Sequence, residues 1–178
     1  MVPERTMTTT DAGIVPAGPG WHVVNAREVP WREREGLGRW SDIEGDGQFE
    51  QLGFQVSVLY PGVPACMYHG ESDQEDFLVV SGECVAIVEG EELHLKQWDF
   101  VHCPPMTEHV FVGAGDGPCV IVMVGTRIED GTIIYPVNEV AAKHGASVET
   151  ETPNPPEAYA DYPRQEPSAY RDGDLPDL

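Results

Sequence analysis

The sequence predicts an all-β protein that folds as an antiparallel sandwich or barrel. Three observations support this fold class. The middle of the chain consists of short segments rich in β-branched and aromatic residues, glycine or proline separates them, and no helical pattern lies between them. Many short strands at such close spacing are typical of an antiparallel sandwich or barrel.

Eight segments in the middle of the chain have the composition of strands. They cover residues 54–60, 65–69, 76–81, 84–89, 92–96, 100–103, 108–112 and 119–125. The turns between them contain Ser81-Gly82, Glu89-Gly90 and the run Gly-Asp-Gly-Pro at 115–118. Glycine in these turns supplies the positive backbone angles that tight connections require.

Differences in composition divide the chain into four predicted segments. They are a flexible lead-in at 1–20, an N-terminal arm at 21–50 packed on the barrel or on a partner, the barrel at 51–135, and a short helix with an acidic, proline-rich tail at 136–178. The barrel segment alone has the apolar strand pattern that a hydrophobic core needs. We therefore expect one domain with peripheral segments.

The two flanking segments are expected to pack on something rather than stay free. The arm contains Trp21, Trp31 and Trp40, which are costly to leave in water, so it is expected to cover a barrel edge or cross to a second subunit. Residues 137–144 are expected to form one short helix with Asn138 as its N-cap. The tail beyond cannot build its own core, is expected to be extended, and has tyrosines suited to anchoring it.

Composition excludes several classes of partner. The 178 residues contain 10 Lys+Arg and 31 Asp+Glu, which gives a net charge of −21. Such a charge repels phosphate backbones and anionic headgroups, so we expect no nucleic-acid and no membrane binding. The longest apolar stretch, 119–124, is far shorter than the roughly 20 residues of a membrane span. Residues 1–20 lack the pattern of a secretory signal, and we expect a cytoplasmic protein.

Two histidines and two glutamates form the candidate functional site. His69 and Glu71 have the same parity, so a regular strand would point both to one face. Glu75 lies just before the next strand, and His109 follows the turn 104–107. Imidazoles and carboxylates on neighbouring strands are suited to a divalent ion. The alternative is that the acidic run around Glu71 is a solvated loop.

At these residues the sequence resembles the cupin superfamily, whose small barrels carry two sequence motifs. The first motif is a glycine, five residues, His-x-His, three or four residues, a glutamate, six residues and a glycine. Glu75 and Gly82 match its end, and counting back from Glu75 places the His-x-His pair on His69 and Glu71. Gly62 then matches the first glycine with one extra residue after it.

The second motif is a glycine, five residues, Pro-x-Gly, two residues, a histidine, three residues and an asparagine. Residues 104–109 fit its centre, with His109 as the histidine. Three positions depart from it. Met106 replaces the central glycine, Trp98 stands for the leading glycine, and Gly113 stands for the asparagine.

The resemblance implies a double-stranded β-helix, or jelly-roll, barrel that holds a metal. In such proteins His, His, Glu and His commonly surround Mn, Fe, Ni or Zn. Carried over to this sequence, the metal ligands are His69, Glu75 and His109, with Glu71 in the place of the second histidine. Glu71 is expected either to ligate the metal or to act as a general base. Without it, two histidines and one carboxylate leave open positions, as in non-haem iron oxygenases.

The resulting expectation is a metal-binding cupin that acts as a metalloenzyme on a small organic substrate, with dioxygenase-like or isomerase-like chemistry. Two alternatives stay open. One is a non-catalytic sensor or binding module that works as a homodimer, since the aromatic arm and the tyrosine-bearing tail would serve dimer formation. The other is acid–base catalysis by the carboxylates without metal.

Overall fold

The computed structural model describes residues 1–177, so the last residue of the predicted tail, 178, lies outside the described residues. Within this range the chain forms fourteen strands and two short helices. In chain order they are β1 (Thr6–Thr10), β2 (Gly13–Ala17), β3 (Trp31–Glu33), β4 (Arg39–Ser41), β5 (Leu52–Leu59), β6 (Gly70–Glu71), β7 (Glu75–Ser81), β8 (Glu83–Val88), β9 (Glu91–Lys96), β10 (Phe100–Cys103), β11 (His109–Ala114), β12 (Cys119–Thr126), β13 (Ile133–Ile134), α1 (Glu139–Ala142), α2 (Pro155–Ala158) and β14 (Glu166–Ser168).

Two antiparallel sheets enclose the main core. The larger has the strand order β10-β7-β12-β5-β4-β3-β14, and the smaller has the order β11-β8-β9. Buried Phe77 and Ile121 of the larger sheet pack with Ala86 and Phe111 of the smaller one. Because the facing surfaces are both apolar, the sheets close on each other as a β-sandwich barrel. The all-β fold class is confirmed.

Seven of the eight predicted strands are present, with their ends shifted by at most two residues. Residues 65–69 do not form the regular strand that the composition predicts. Contact with β11 consists of bridges at His69 and at Pro64, just before the segment, and of a hydrogen bond from the Ala65 amide to the Phe111 carbonyl at 2.8 Å. In between, the Tyr68 amide donates to the Ala146 carbonyl at 2.6 Å and the Met67 amide donates to the Tyr159 hydroxyl at 3.2 Å. Partners outside the sheet therefore take the place of a strand ladder.

The segment before the barrel packs on the barrel of the same chain. Residues 1–20 contain the hairpin β1–β2, and the arm contributes β3 and β4, with β4 paired to β5. Trp31 is fully buried with Val58 and Val120. Glu44 of the arm accepts two hydrogen bonds from the Arg127 guanidinium, at 2.7 and 2.9 Å. The arm thus covers an edge of its own barrel.

The C-terminal segment contains two helices rather than the one predicted. In α1, the Asn138 side chain accepts from the amides of Val140 and Ala141, as expected of an N-cap. The second helix, α2, begins at Pro155. Proline is compatible with the first turn of a helix, where its missing amide hydrogen has no intrahelical partner. A sequence interpretation that treats every proline as a helix breaker therefore misses α2. At four residues each, neither helix of residues 1–177 is long enough to cross a membrane.

The tail returns to the barrel and ends in a buried ion pair. Strand β14 pairs with β3, and Asp174 then places its carboxylate against the Arg39 guanidinium. Both side chains are almost fully buried, at 4% and 2% exposure. The Tyr60 hydroxyl donates to the other oxygen of Asp174, and Arg39 also donates to the Ala169 carbonyl at 2.7 Å. The tail is thus attached to the large sheet near the chain's end.

Candidate metal centre

Three side chains converge inside the barrel. Each of His69, Glu75 and His109 offers one possible ligand atom, and these atoms all lie within 4.8 Å of one another. Glu75 opens β7, while His109 opens β11 and is bridged to His69 through backbone hydrogen bonds at 2.7 and 3.1 Å. The two sheets thus present their donors from opposite sides. A carboxylate and two imidazoles at this separation are suited to a divalent transition metal.

Backbone carbonyls orient both imidazole rings. Nδ1 of His69 lies 2.8 Å from the Met67 carbonyl oxygen, and Nδ1 of His109 lies 3.0 Å from the Thr107 carbonyl oxygen. A carbonyl oxygen can only accept, so each Nδ1 carries a hydrogen and each neutral ring has its lone pair on Nε2. Nε2 of His109 lies 3.2 Å from Glu75 Oε2. Metal-binding histidines commonly have this arrangement, in which one ring nitrogen donates to a backbone carbonyl and the other is left to bind the metal.

The local environment favours a neutral His69. Burial lowers the pKa of His69 to about 4, and the nearby His109 adds to this effect. Burial also disfavours charge on His109, but the hydrogen bond and charge of Glu75 outweigh it and raise the His109 pKa. Burial raises the pKa of Glu75, yet the interaction with His109 prevails and leaves it lowered. His69 therefore has a free nitrogen lone pair at neutral pH.

Glu71 lies beside the cluster and is not part of it. Its donor atoms fall outside the group of three within residues 1–177. Burial, followed by the charges of Glu75 and Asp73, raises the pKa of Glu71 to about 7. Of the four residues predicted from sequence, the structure brings three together and places the fourth next to Glu75.

Two weaker candidates face away from the cluster. His102 is exposed, and its Nδ1 lies 2.6 Å from Asp76 Oδ1 on the outside of the barrel. The Gln74 amide donates to the same carboxylate, at 2.8 Å from Oδ2. Cys66 lies inside, 3.6 Å from His69 Nδ1, and burial raises the pKa of its thiol. The group of converging donors contains none of these three side chains.

A cavity of about 210 Å³ contains the three donors. Apart from the donors its walls are mainly apolar, with five aromatic side chains, and Gln55 and Ser57 provide a polar strip on the large sheet. Two clefts of about 480 Å³ each lie elsewhere and contain neither histidine of the cluster. Because ligands bind best where polar donors converge inside an apolar pocket, the smaller cavity is the candidate site.

Comparison with known proteins identifies the fold that surrounds this cavity. The family model described as "Cupin domain" matches residues 55–125, which run from within β5 to within β12 and include all three donors. The chain contains a small cupin domain. No curated protein matches the sequence.

Solved structures with a cupin fold resemble the chain at low sequence identity. A sugar phosphate isomerase of the cupin superfamily from Silicibacter pomeroyi is 21% identical, with 74% of this chain and 75% of that chain covered and a TM-score of 0.51. A predicted oxalate decarboxylase from Thermotoga maritima is 17% identical, with 60% and 100% covered and a TM-score of 0.50. A protein from Acidithiobacillus ferrooxidans is 22% identical with a TM-score of 0.45; 47% of this chain matches it, and the match spans just over half its length, 55%. At these identities the likeness shows the fold alone.

Two positions of the second cupin motif adopt backbone angles that favour glycine but carry a larger residue. Met106 has φ of 68° and Trp98 has φ of 76°, both in the left-handed region. The second motif has glycine at both of these positions. The turns therefore keep their shape although the side chain differs, at a conformational cost. The Met106 turn delivers His109 to the cluster.

Sequence reasoning missed most of the cavity wall. Trp40, Tyr135 and Tyr159 line it, yet all three lie outside residues 55–125. Tyr159 follows α2, and its hydroxyl accepts from the Met67 amide. The repeated tyrosines of the C-terminal segment indicate that it is anchored to another surface, but the local sequence does not indicate which surface Tyr159 contacts.

Proposed function

We propose that the cupin domain holds one divalent transition-metal ion through His69, Glu75 and His109 and is a metalloenzyme for a small organic molecule. The observation that carries the proposal is the orientation of both rings. Each Nδ1 is engaged by a carbonyl two residues earlier, so each Nε2 is available beside the Glu75 carboxylate. Zinc, iron, manganese and nickel all accept such a donor set.

Three protein ligands leave coordination positions for a substrate. When bound, the ion supplies Lewis-acid chemistry that polarises an oxygen of the substrate. The protein itself holds the donors in place and excludes water with its aromatic walls. Dioxygenase-like and isomerase-like reactions are both compatible with this arrangement.

We assign Glu71 to proton exchange rather than to metal binding. Its carboxyl lies next to Glu75 but outside the cluster of donors. A group in this position can pass a proton to or from a molecule held at the open positions. The test compares Glu71→Gln with Glu75→Gln. We expect Glu71→Gln to keep its metal and Glu75→Gln to lose it, whereas equal loss in both would make Glu71 a ligand.

Metal analysis tests the proposal directly. The protein is purified without added metal, and its metal content is measured by mass spectrometry together with that of two histidine variants. We expect close to one equivalent in the parent and in His102→Ala, whose side chain lies on the outside, and almost none in His109→Ala. Circular dichroism checks that both variants are folded. Equal metal content in the two variants would exclude the proposed centre.

A non-catalytic binding module is the second candidate, and it is favoured by the partly open cavity with its aromatic side chains, which suits ligand binding as well as turnover. Protein that holds no metal at any loading would support it. The homodimer predicted from the arm and tail stays a prediction. Trp31 and the tail tyrosines pack within their own chain, so they do not require a partner. Light scattering on the purified protein gives the oligomeric state.

A further inference from the structure

We infer that the cavity takes a ring-sized organic molecule with one oxygen donor at the metal end and a hydrogen-bonding group at the other end, and that it rejects phosphate esters. This inference rests on the proposed metal centre and names the substrate class of the same site. The size, charge and wall chemistry of the cavity each support it.

The volume limits the size of the ligand. The cavity volume of about 210 Å³ lies below the roughly 300–1,000 Å³ that is typical of pockets for drug-sized ligands. A small ligand such as a substituted six-membered ring suits this space better than the longer, more highly substituted pentose and hexose phosphates.

The charge of the walls argues against phosphate. No arginine or lysine is among the residues that line the cavity, although these side chains are the usual partners of phosphate oxygens. Arg34 stacks on the Tyr159 ring, with its guanidinium carbon 4.7 Å from the centroid, and is not part of the lining. A divalent ion with two neutral imidazoles and Glu75 has a net charge of +1, which suits a neutral or singly charged oxygen donor rather than a dianion.

The aromatic side chains suit a flat, uncharged body. The Phe77 ring contacts the rings of His109 and Phe111, with centroids 5.1 and 4.5 Å away, and those two rings also contact each other. On the other side, the Tyr135 ring lies 5.7 Å from His69 and makes an edge contact with Tyr159. Rings at such distances offer faces and edges to a further ring. A polyhydroxylated sugar would leave its hydroxyls against these surfaces without partners.

The polar strip lies across the cavity from the metal ligands. Gln55 pairs in register with Met123, which pairs with Phe77, two residues after Glu75. Two strand spacings separate β5 from β7, or roughly 10 Å between their backbones. Within residues 1–177 the Gln55 amide nitrogen contacts only Ser57 Oγ at 3.2 Å and the Met123 sulfur at 3.4 Å. One amide hydrogen is used by Ser57, but sulfur is a weak acceptor, so the second hydrogen is available to a polar group of the ligand.

Three probes test the inference on zinc-loaded protein. Calorimetry measures binding of 4-hydroxybenzoate, which has both end groups, of benzoate, which lacks the distal hydroxyl, and of glucose 6-phosphate. We expect 4-hydroxybenzoate to bind about three- to tenfold more tightly than benzoate, the worth of one neutral hydrogen bond. Glucose 6-phosphate is expected to give no binding heat.

A variant shows whether Gln55 causes the preference. We expect Gln55→Leu to bind 4-hydroxybenzoate no more tightly than benzoate, and circular dichroism together with the measured zinc content serves as the folding control. Glucose 6-phosphate binding as tightly as the rings, or no ring binding to protein with a measured equivalent of zinc, would overturn the inference and leave the metal centre standing. A persistent preference in Gln55→Leu would also overturn it. If the proposed metal centre itself were wrong, the zinc analysis made before the binding experiment would find no bound zinc.

Discussion

The buried carboxylate of Asp174 stabilises the fold far more than an exposed neighbour in the same tail. Asp174 and Asp177 both pair with arginines, but their side-chain exposures are 4% and 99%. Asp174→Asn keeps the shape and removes the charge opposite Arg39. Breaking a buried ion pair from one side costs about 3–5 kcal/mol, because the remaining charge stays buried. Arg39 keeps Glu33, whose Oε2 lies 3.1 Å from its Nε, so we expect the lower end, about 3 kcal/mol.

Asp177→Asn is the matched control. Its partner Arg27 is itself 40% exposed, and solvent-exposed pairs contribute only about 0–1 kcal/mol. For a chain of this size, 1 kcal/mol shifts the melting temperature by about 2–4 °C. The Asp174 variant is therefore expected to melt about 6–12 °C lower and the Asp177 variant within about 4 °C of the parent.

Urea and thermal unfolding, followed by circular dichroism with chelator present, measure both variants without interference from metal binding. Free energies of unfolding within about 1 kcal/mol of each other would refute the reasoning, since burial would then not decide the value of the pair.

Three further changes have defined outcomes. Met106→Gly should raise the free energy of unfolding by about 1 kcal/mol in urea melts, because it removes left-handed strain at a side chain that is 48% exposed; a loss would mean that packing outweighs strain. Gly113→Ala should cost about 3 kcal/mol, as its new Cβ would lie 2.1 Å from the Tyr60 carbonyl oxygen, and an unchanged melt would contradict this clash. Burial raises the pKa of Glu44, but hydrogen bonds from Arg127 and backbone amides outweigh it and lower the pKa. The contribution of Glu44 to the free energy of unfolding is therefore fully present above the ordinary pKa range of a carboxyl group, and it is lost as the pH falls through the lowered pKa. In an acid titration, the free energy of unfolding of Glu44→Gln should fall less over this range than that of the parent.

Alternation and turn residues are sufficient to predict the barrel strands, because each strand has one face in a common core. The segment 65–69 looks equally strand-like, yet its amides bind Ala146 and Tyr159, which lie about eighty to ninety residues away in the chain. No local pattern reveals such partners. Strands β3 and β14 also escape prediction because three residues are too few to show a period.

The candidate site likewise has one part that the sequence predicts and one part that it does not. His69, Glu75 and His109 are predictable because short-range geometry sets them: a carbonyl two residues before each histidine orients the ring, and Glu75 begins a strand. The walls are not predictable from sequence. Tyr135 and Tyr159 reach the cavity only through the path of the C-terminal segment, which long-range packing determines.

Trp40, Tyr135 and Tyr159 line the cavity although they lie outside the family-matched stretch, which contains all three proposed metal ligands. In the proposed function, the barrel therefore supplies the chemistry, and the flanking segments supply part of the wall that selects the ligand. We expect that replacing these segments with those of a related chain would change which molecule binds and leave the metal ligands in place. The wall would be complete only once residue 159 has been synthesised and has packed against the barrel.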